Sequence, residues 1–170
     1  MGHGFGRGDD GMTDWRGGRV PKSSGEIRCL SYLDRAMAEM TWSRVMARDL
    51  GVVPCAACLT GMEEIVSGIC AWLAAGVSRD WASDLAWCEA SMEREGEGGE
   101  TGSSEKRGFV DFGALGALGA ALNLVRTSLR LAEAHLEDVD GASGCRAVMN
   151  RLSSLAFVLA CDPHEARSGF

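Results

Sequence analysis

Apolar residues return every three or four positions through most of the chain, the period of a helix packed on one side. Over residues 26–50, Leu30, Leu33, Met37 and Met40 form such a stripe, and Gly51 and Pro54 close it. Met62, Ile65, Ile69, Trp72 and Leu73 predict a second helix over 60–75, stopped at Gly76. A shorter third helix over 78–94 carries Trp81, Leu85 and Cys88. The fourth is the clearest, because Leu115, Leu118, Leu122, Val125, Leu129, Ala132 and Leu136 alternate three and four apart, a seam for neighbouring helices. Met149, Leu152, Leu155 and Leu159 repeat the device in a last helix over 142–161.

The remaining segments lack that period. Residues 1–25 are glycine-rich and read as a flexible arm or ligand loop, 95–107 as a charged Gly/Ser/Glu surface loop, and 164–170 as a tail. No alternation of period two is long enough for a strand, and there is no internal repeat. The expectation is an all-α, five-helix bundle over 26–163.

Composition narrows the function classes. At 170 residues, 46% hydrophobic and 24% charged, the chain suits one globular domain. A formal charge of −7 argues against broad binding to nucleic acid or an anionic membrane. Residues 1–26 have no apolar signal core, and the best membrane candidate, Phe112 to Val125, is too short to span, so a cytoplasmic protein is expected. Seven irregularly spaced cysteines do not resemble a disulfide framework. Cys55 and Cys58 form a lone CxxC, two ligands where structural zinc takes four, and read as structural. His3, His135 and His164 cluster with neither cysteines nor carboxylates, so no metal site is assigned.

Three constellations could carry chemistry. Arg126, Arg130 and Glu133 share one stripe of the fourth helix, suited to a phosphate or an intersubunit ion pair, though a solvated face with ordinary salt bridges has the same spacing. Gly8-Asp9-Asp10-Gly11 with Thr13, followed by Gly17 to Lys22, is a glycine-rich loop with basic residues, able to cradle phosphates or to be an unstructured tail. It lacks the GK[ST] ending of a P-loop. Asn150 and Ser153 sit inside the last helix, where Asn is mildly unfavourable and invites a reason, although caps and exposed faces explain most such cases.

In order and approximate spacing these segments resemble the PduO-type corrinoid adenosyltransferases. That family's TK-x-GDxGxT and GGxRVPKD loop is matched by Gly8 to Thr13 and Gly17 to Lys22. Its Y-G-x-x-DELN helix has Ser31-Tyr32-Leu33-Asp34 at the corresponding place. The family's F-V-L-P-G-G corresponds to Phe109-Val110-Asp111-Phe112-Gly113, and LH-x-AR-x-x-x-RRAERR to Leu122-Asn123-Leu124-Val125-Arg126 and Arg130-Leu131-Ala132-Glu133. The most specific block is LNRLSDLLFVLAR, nearly repeated by Met149 to Ala160.

The resemblance implies a homotrimer of five-helix subunits that moves the adenosyl group of ATP to the cobalt of reduced cobalamin, with magnesium on the nucleotide and the site between neighbours. By position, Gly8 and Asp9 would shape the triphosphate loop, and Lys22, Arg130 and Asn150 would contact nucleotide, together with Arg7, Gly11, Arg126 and Glu133. Asp34 would pair with Arg130 across the interface, and Phe109 would face the corrin and displace its lower base. A flavin reductase would supply the electron and a cobalamin-dependent mutase would take the product.

The chain also departs from the pattern. Phe5-Gly6 replaces Thr-Lys, with Arg7 adjacent as a substitute. DELN has become Asp34-Arg35-Ala36-Met37, and Leu131, Ala134 and His135 replace arginines. A competing reading is therefore a non-catalytic member that binds corrinoid or ATP as carrier, sensor or partner subunit, and a further one is a ligand-free scaffold.

Overall fold

The computed structural model describes residues 10–16, 18–96, 110–137 and 139–161. Among them the chain forms a hairpin of β1 (Met12–Trp15) and β2 (Gly18–Pro21), then α1 (Gly25–Asp49), α2 (Val53–Ala75), α3 (Trp81–Gly96), α4 (Gly116–Ala134) and α5 (Ser143–Ala160). The expected all-α bundle is present. The hairpin corrects the reading of residues 1–25 as a loop without strands. Its strands are antiparallel and four residues each, with Thr13 opposite Val20 and Asp14 opposite Arg19. Four residues are too few for alternation to stand out from the surrounding glycines.

Helix ends follow local chemistry. α1 stops where Gly51 takes φ +75°, with the Val52 amide donating to the Ala47 carbonyl (2.8 Å) and the Gly51 amide to that of Arg48 (3.0 Å). That pair of bonds is a Schellman termination. α2 begins at Val53 rather than near residue 60, because Pro54 stands in its first turn, where a missing N–H costs nothing. Proline here opens the second helix as well as barring the first. α3 begins at Trp81 rather than 78, because the Asp80 carboxylate accepts from the Ala82 and Ser83 amides at 3.1 and 3.2 Å. This is an N-cap.

α1 packs chiefly on α4 and α2, α4 on α5, and α5 on α3, while α2 and α5 meet only slightly. The α1 seam is Cys29, Leu33, Ala36, Met40, Ser43 and Ala47, so Leu33 and Met40 of the expected stripe are buried while Leu30 and Met37 flank it. In α4 and α5 the expected seams are the core: Leu118, Leu122, Val125, Leu129 and Ala132 face Met149, Leu152, Leu155 and Leu159. Polar contacts fix the register. Ser128 donates to Glu39 at 2.6 Å across α4 and α1, and Arg44 meets Glu63 at 3.0 Å across α1 and α2.

α2, not the Phe112–Val125 segment, is the helix among the described residues that is long and apolar enough to cross a membrane, with mean hydropathy 1.3. It serves here as a bundle helix: Leu59, Met62, Val66, Ile69 and Leu73 are buried and Glu63 is ion-paired.

Candidate functional site

A cavity of about 340 Å³ opens between α4, α5 and the far end of α3. Arg126 and Arg130 line one side, and Ser153, Ser154, Phe157, Val158 and Met92 complete it. The helical period accounts for the convergence. Arg126 and Arg130 are four apart, hence stacked on one face of α4, and the serines lie one turn before Phe157 and Val158 on α5. Both serine hydroxyls donate to the Asn150 carbonyl, at 2.8 and 3.0 Å, leaving their lone pairs as acceptors. The result is a pocket of mixed lining, with guanidinium groups from α4 and hydroxyl, ring and aliphatic groups from α5. Such a lining suits a ligand with an anionic end and a flat apolar end.

Arg126 is held from two directions. Its Nε donates to Asn123 Oδ1 at 2.9 Å, and its guanidinium carbon stands 5.7 Å from the centre of the Phe112 ring. Phe112 in turn meets Phe157 edge-to-face, with ring centres 6.0 Å apart. Arg130 is exposed and Glu133 half-buried one turn beyond it; neither forms an ion pair among the described residues.

Gly11 and Lys22 come together at the base of the hairpin. Gly11 takes φ +78°, and its carbonyl accepts the Lys22 amide at 2.8 Å. Asp10 binds Arg19 through two bonds of 2.8 and 2.9 Å and accepts the Met12 amide. The Arg19 guanidinium first, and the Met12 amide second, hold the Asp10 carboxyl below the usual carboxylate value. At the hairpin tip Arg16, at φ +42°, donates to the Leu73 and Trp72 carbonyls at 2.8 and 2.7 Å. It thereby satisfies the Leu73 carbonyl, gives the Trp72 carbonyl a second donor beside the Gly76 amide, and places positive charge at the negative end of that helix.

No described hairpin residue lines the cavity, so within one chain Gly11 and Lys22 are not brought to Arg126 and Arg130. Asp34 is exposed on α1 and forms no ion pair with Arg130 inside the chain. Asn150 is half-buried and contributes through its carbonyl, one turn from Ser153 and Ser154. The candidates Arg7, Gly8, Asp9 and Phe109 lie outside the described residues, as do Phe5, Gly6, most of the 95–107 loop and the 164–170 tail.

Sequence reasoning missed Ser154, Phe157, Val158, Met92 and Arg16 as site or anchoring residues. The serine pair behind Asn150 was the one available signal.

Burial pushes the Cys70 thiol up to about 11 and those of Cys58, Cys88 and Cys145 to about 12, and it raises Cys29 further. These are core thiols rather than nucleophiles, and the described residues contain no disulfide. Among the described residues no three His, Cys, Asp or Glu side chains are grouped to hold a metal ion.

A comparison with curated proteins returns no match. A sequence profile of a family described as cobalamin adenosyltransferase matches residues 4–162. Nearly the whole chain is covered, from the segment before the hairpin to the end of α5. With a five-helix bundle and a cationic cavity beside the helix that the profile spans, the chain belongs to the cobalamin adenosyltransferase family.

Proposed function

We propose that the chain is a PduO-type enzyme that transfers the 5′-deoxyadenosyl group of ATP to the cobalt of reduced cobalamin, yielding adenosylcobalamin and triphosphate. The observation that carries this reading is the meeting of Arg126, Arg130, Ser153 and Ser154 with the apolar wall of Phe157 and Val158. In the reaction, Co(I) attacks the 5′ carbon, the C5′–O bond breaks, and its electron pair leaves with triphosphate. Two guanidiniums beside that leaving group, Arg126 already held by its neighbours and Arg130 with its donors open, stabilise the charge as it forms. Magnesium enters as a companion of the phosphate oxygens rather than in a protein cage. In this reading Phe109 faces the corrin, excludes its lower base and leaves a four-coordinate Co(II) that is easier to reduce.

The site lies between copies of the chain in a homotrimer. Asp34 of one copy pairs with Arg130 of the next, and Arg7, Gly8, Asp9, Gly11 and Lys22 contact the nucleotide together with Glu133 and Asn150. Support comes from the outer faces of α1 and α4, which expose Trp42 (52%), Val45, Leu124 and Leu131 (44%). Apolar side chains of that size on adjacent helices suit a covered face. The reading places the protein in the cytoplasm, served by a flavin reductase and a cobalamin-dependent mutase.

Anaerobic spectroscopy with cob(II)alamin and ATP tests it. The wild-type protein is expected to give the four-coordinate Co(II) signal and then, with a reductant, adenosylcobalamin. Phe109→Ala is expected to lose that signal and keep ATP binding. A wild-type protein without the signal overturns the transferase reading. A second reading, a carrier that binds without turnover, is favoured by the exposed Leu131 and Ala134 where the family pattern has arginines. Binding of both ligands with no product would select it.

A further inference from the structure

Arg126 is gripped by two residues that stand where the family pattern has others. Phe112 occupies the place of the proline in F-V-L-P-G-G, and Asn123 that of the histidine in LH-x-AR. The structure brings both to the same guanidinium: Asn123 Oδ1 accepts from Nε at 2.9 Å, and the guanidinium carbon stands over the Phe112 ring, 5.7 Å from its centre. Phe157, part of the cavity wall, supports the Phe112 ring edge-on at 6.0 Å. With Nε bonded and the ring beside the guanidinium, the two Nη groups remain, and among the described residues neither has a hydrogen-bond partner.

We propose that Phe112 and Asn123 are positioning residues that fix the Arg126 guanidinium so that its Nη edge meets the phosphates of the bound nucleotide. This rests on the nucleotide reading given above. A free arginine side chain must give up several rotatable bonds when it binds an anion, and a guanidinium already held at Nε and over a ring gives up less. The pair of contacts also suits arginine, since a lysine has no Nε donor for Asn123 while its ammonium sits over the ring. A carboxylate in place of Asn123 would hold Nε as well, but it would repel the phosphates; the neutral amide fixes the guanidinium and leaves its charge unspent.

Calorimetry on the full chain tests the proposal, with MgATP and inorganic triphosphate as separate probes. Asn123→Ala and Phe112→Leu are each expected to weaken both probes by about fivefold, the scale of one hydrogen bond or stacking contact. In an Arg126→Lys background the Asn123→Ala loss should vanish, because its effect passes through that guanidinium. Losses that persist undiminished in that background would assign the two residues to packing and overturn the proposal. So would unchanged affinity in Asn123→Ala, a half-buried helical position whose change leaves the fold intact, as helicity would verify. If Arg126→Ala itself leaves triphosphate binding unchanged, the nucleotide reading of the cavity fails and the proposal falls with it; if Arg126→Ala weakens binding while Asn123→Ala and Phe112→Leu do not, only the positioning proposal falls.

Discussion

Arg130 stands on the exposed side of α4 yet borders the cavity, and no ion pair within the chain holds it among the described residues. Such a guanidinium has its full donor set available for a phosphate or for a carboxylate on another copy. Arg130→Ala is expected to lower ATP affinity by about 1.5–3 kcal/mol, the worth of one charge-assisted partner, and to loosen the assembly at the same time. Calorimetry and sedimentation together check this, and unchanged ATP binding would remove Arg130 from the site. The two arginines were legible in the sequence because residues four apart on a helix share a face. Phe157 and Val158 were not, because the apolar period that marks a core also runs through a pocket wall. Arg16 was beyond reach, since its acceptors lie 57 and 56 residues away in sequence.

The seams of α4 and α5 were readable as elements because both helices bury one continuous stripe. The ends were harder. Pro54 signals a break from the left and a start from the right, and only the structure shows that α2 uses it as a start. The contact of α2 with α3 was also silent in the sequence. It depends on Gly61, where a Cβ would run into the Trp87 indole. Two effects oppose each other at Gly61→Ala. Helix propensity would gain about 1 kcal/mol, while overpacking against a ring costs about 1–3 kcal/mol. The clash wins, because a fused ring lodged between helices cannot swing aside as a flexible chain end can. Gly61→Ala is therefore expected to lower the urea midpoint with an unchanged slope, where an exposed helical glycine would raise it.

Across the whole molecule the bundle sequesters thiols at several levels. Their ordinary value is 9.0, and burial lifts Cys70 to about 11 and Cys58, Cys88 and Cys145 to about 12. The unfolded chain thus releases these protons first as pH rises, and it gains stability relative to the fold. Stability is expected to be level while the pH stays below the ordinary value of 9.0 and to fall progressively as the pH rises through it toward the folded values. Thermal melting from pH 7 to 10.5 checks the direction. A melting temperature that rises across that range would contradict the burial of these groups. A thiol reagent at pH 8 should likewise react slowly until denaturant is added.

The attachment of the hairpin has a kinetic consequence. Two strands without a third are marginally stable at best in water, and among the described residues β1 and β2 are anchored by Trp15 against the core and Arg16 on the carbonyl end of α2. The segment with Gly11 and Lys22 is thereby expected to open as a small unit while the bundle stays closed. In hydrogen exchange the Lys22 amide, bonded to Gly11, should exchange through local opening, and the Val125 amide, in the middle of α4, through global unfolding. Arg16→Ala should speed the first and leave the second unchanged; equal acceleration of both would mean that hairpin and bundle unfold as one. How fast the loop admits and releases what it binds would then be set by two hydrogen bonds to the end of a neighbouring helix.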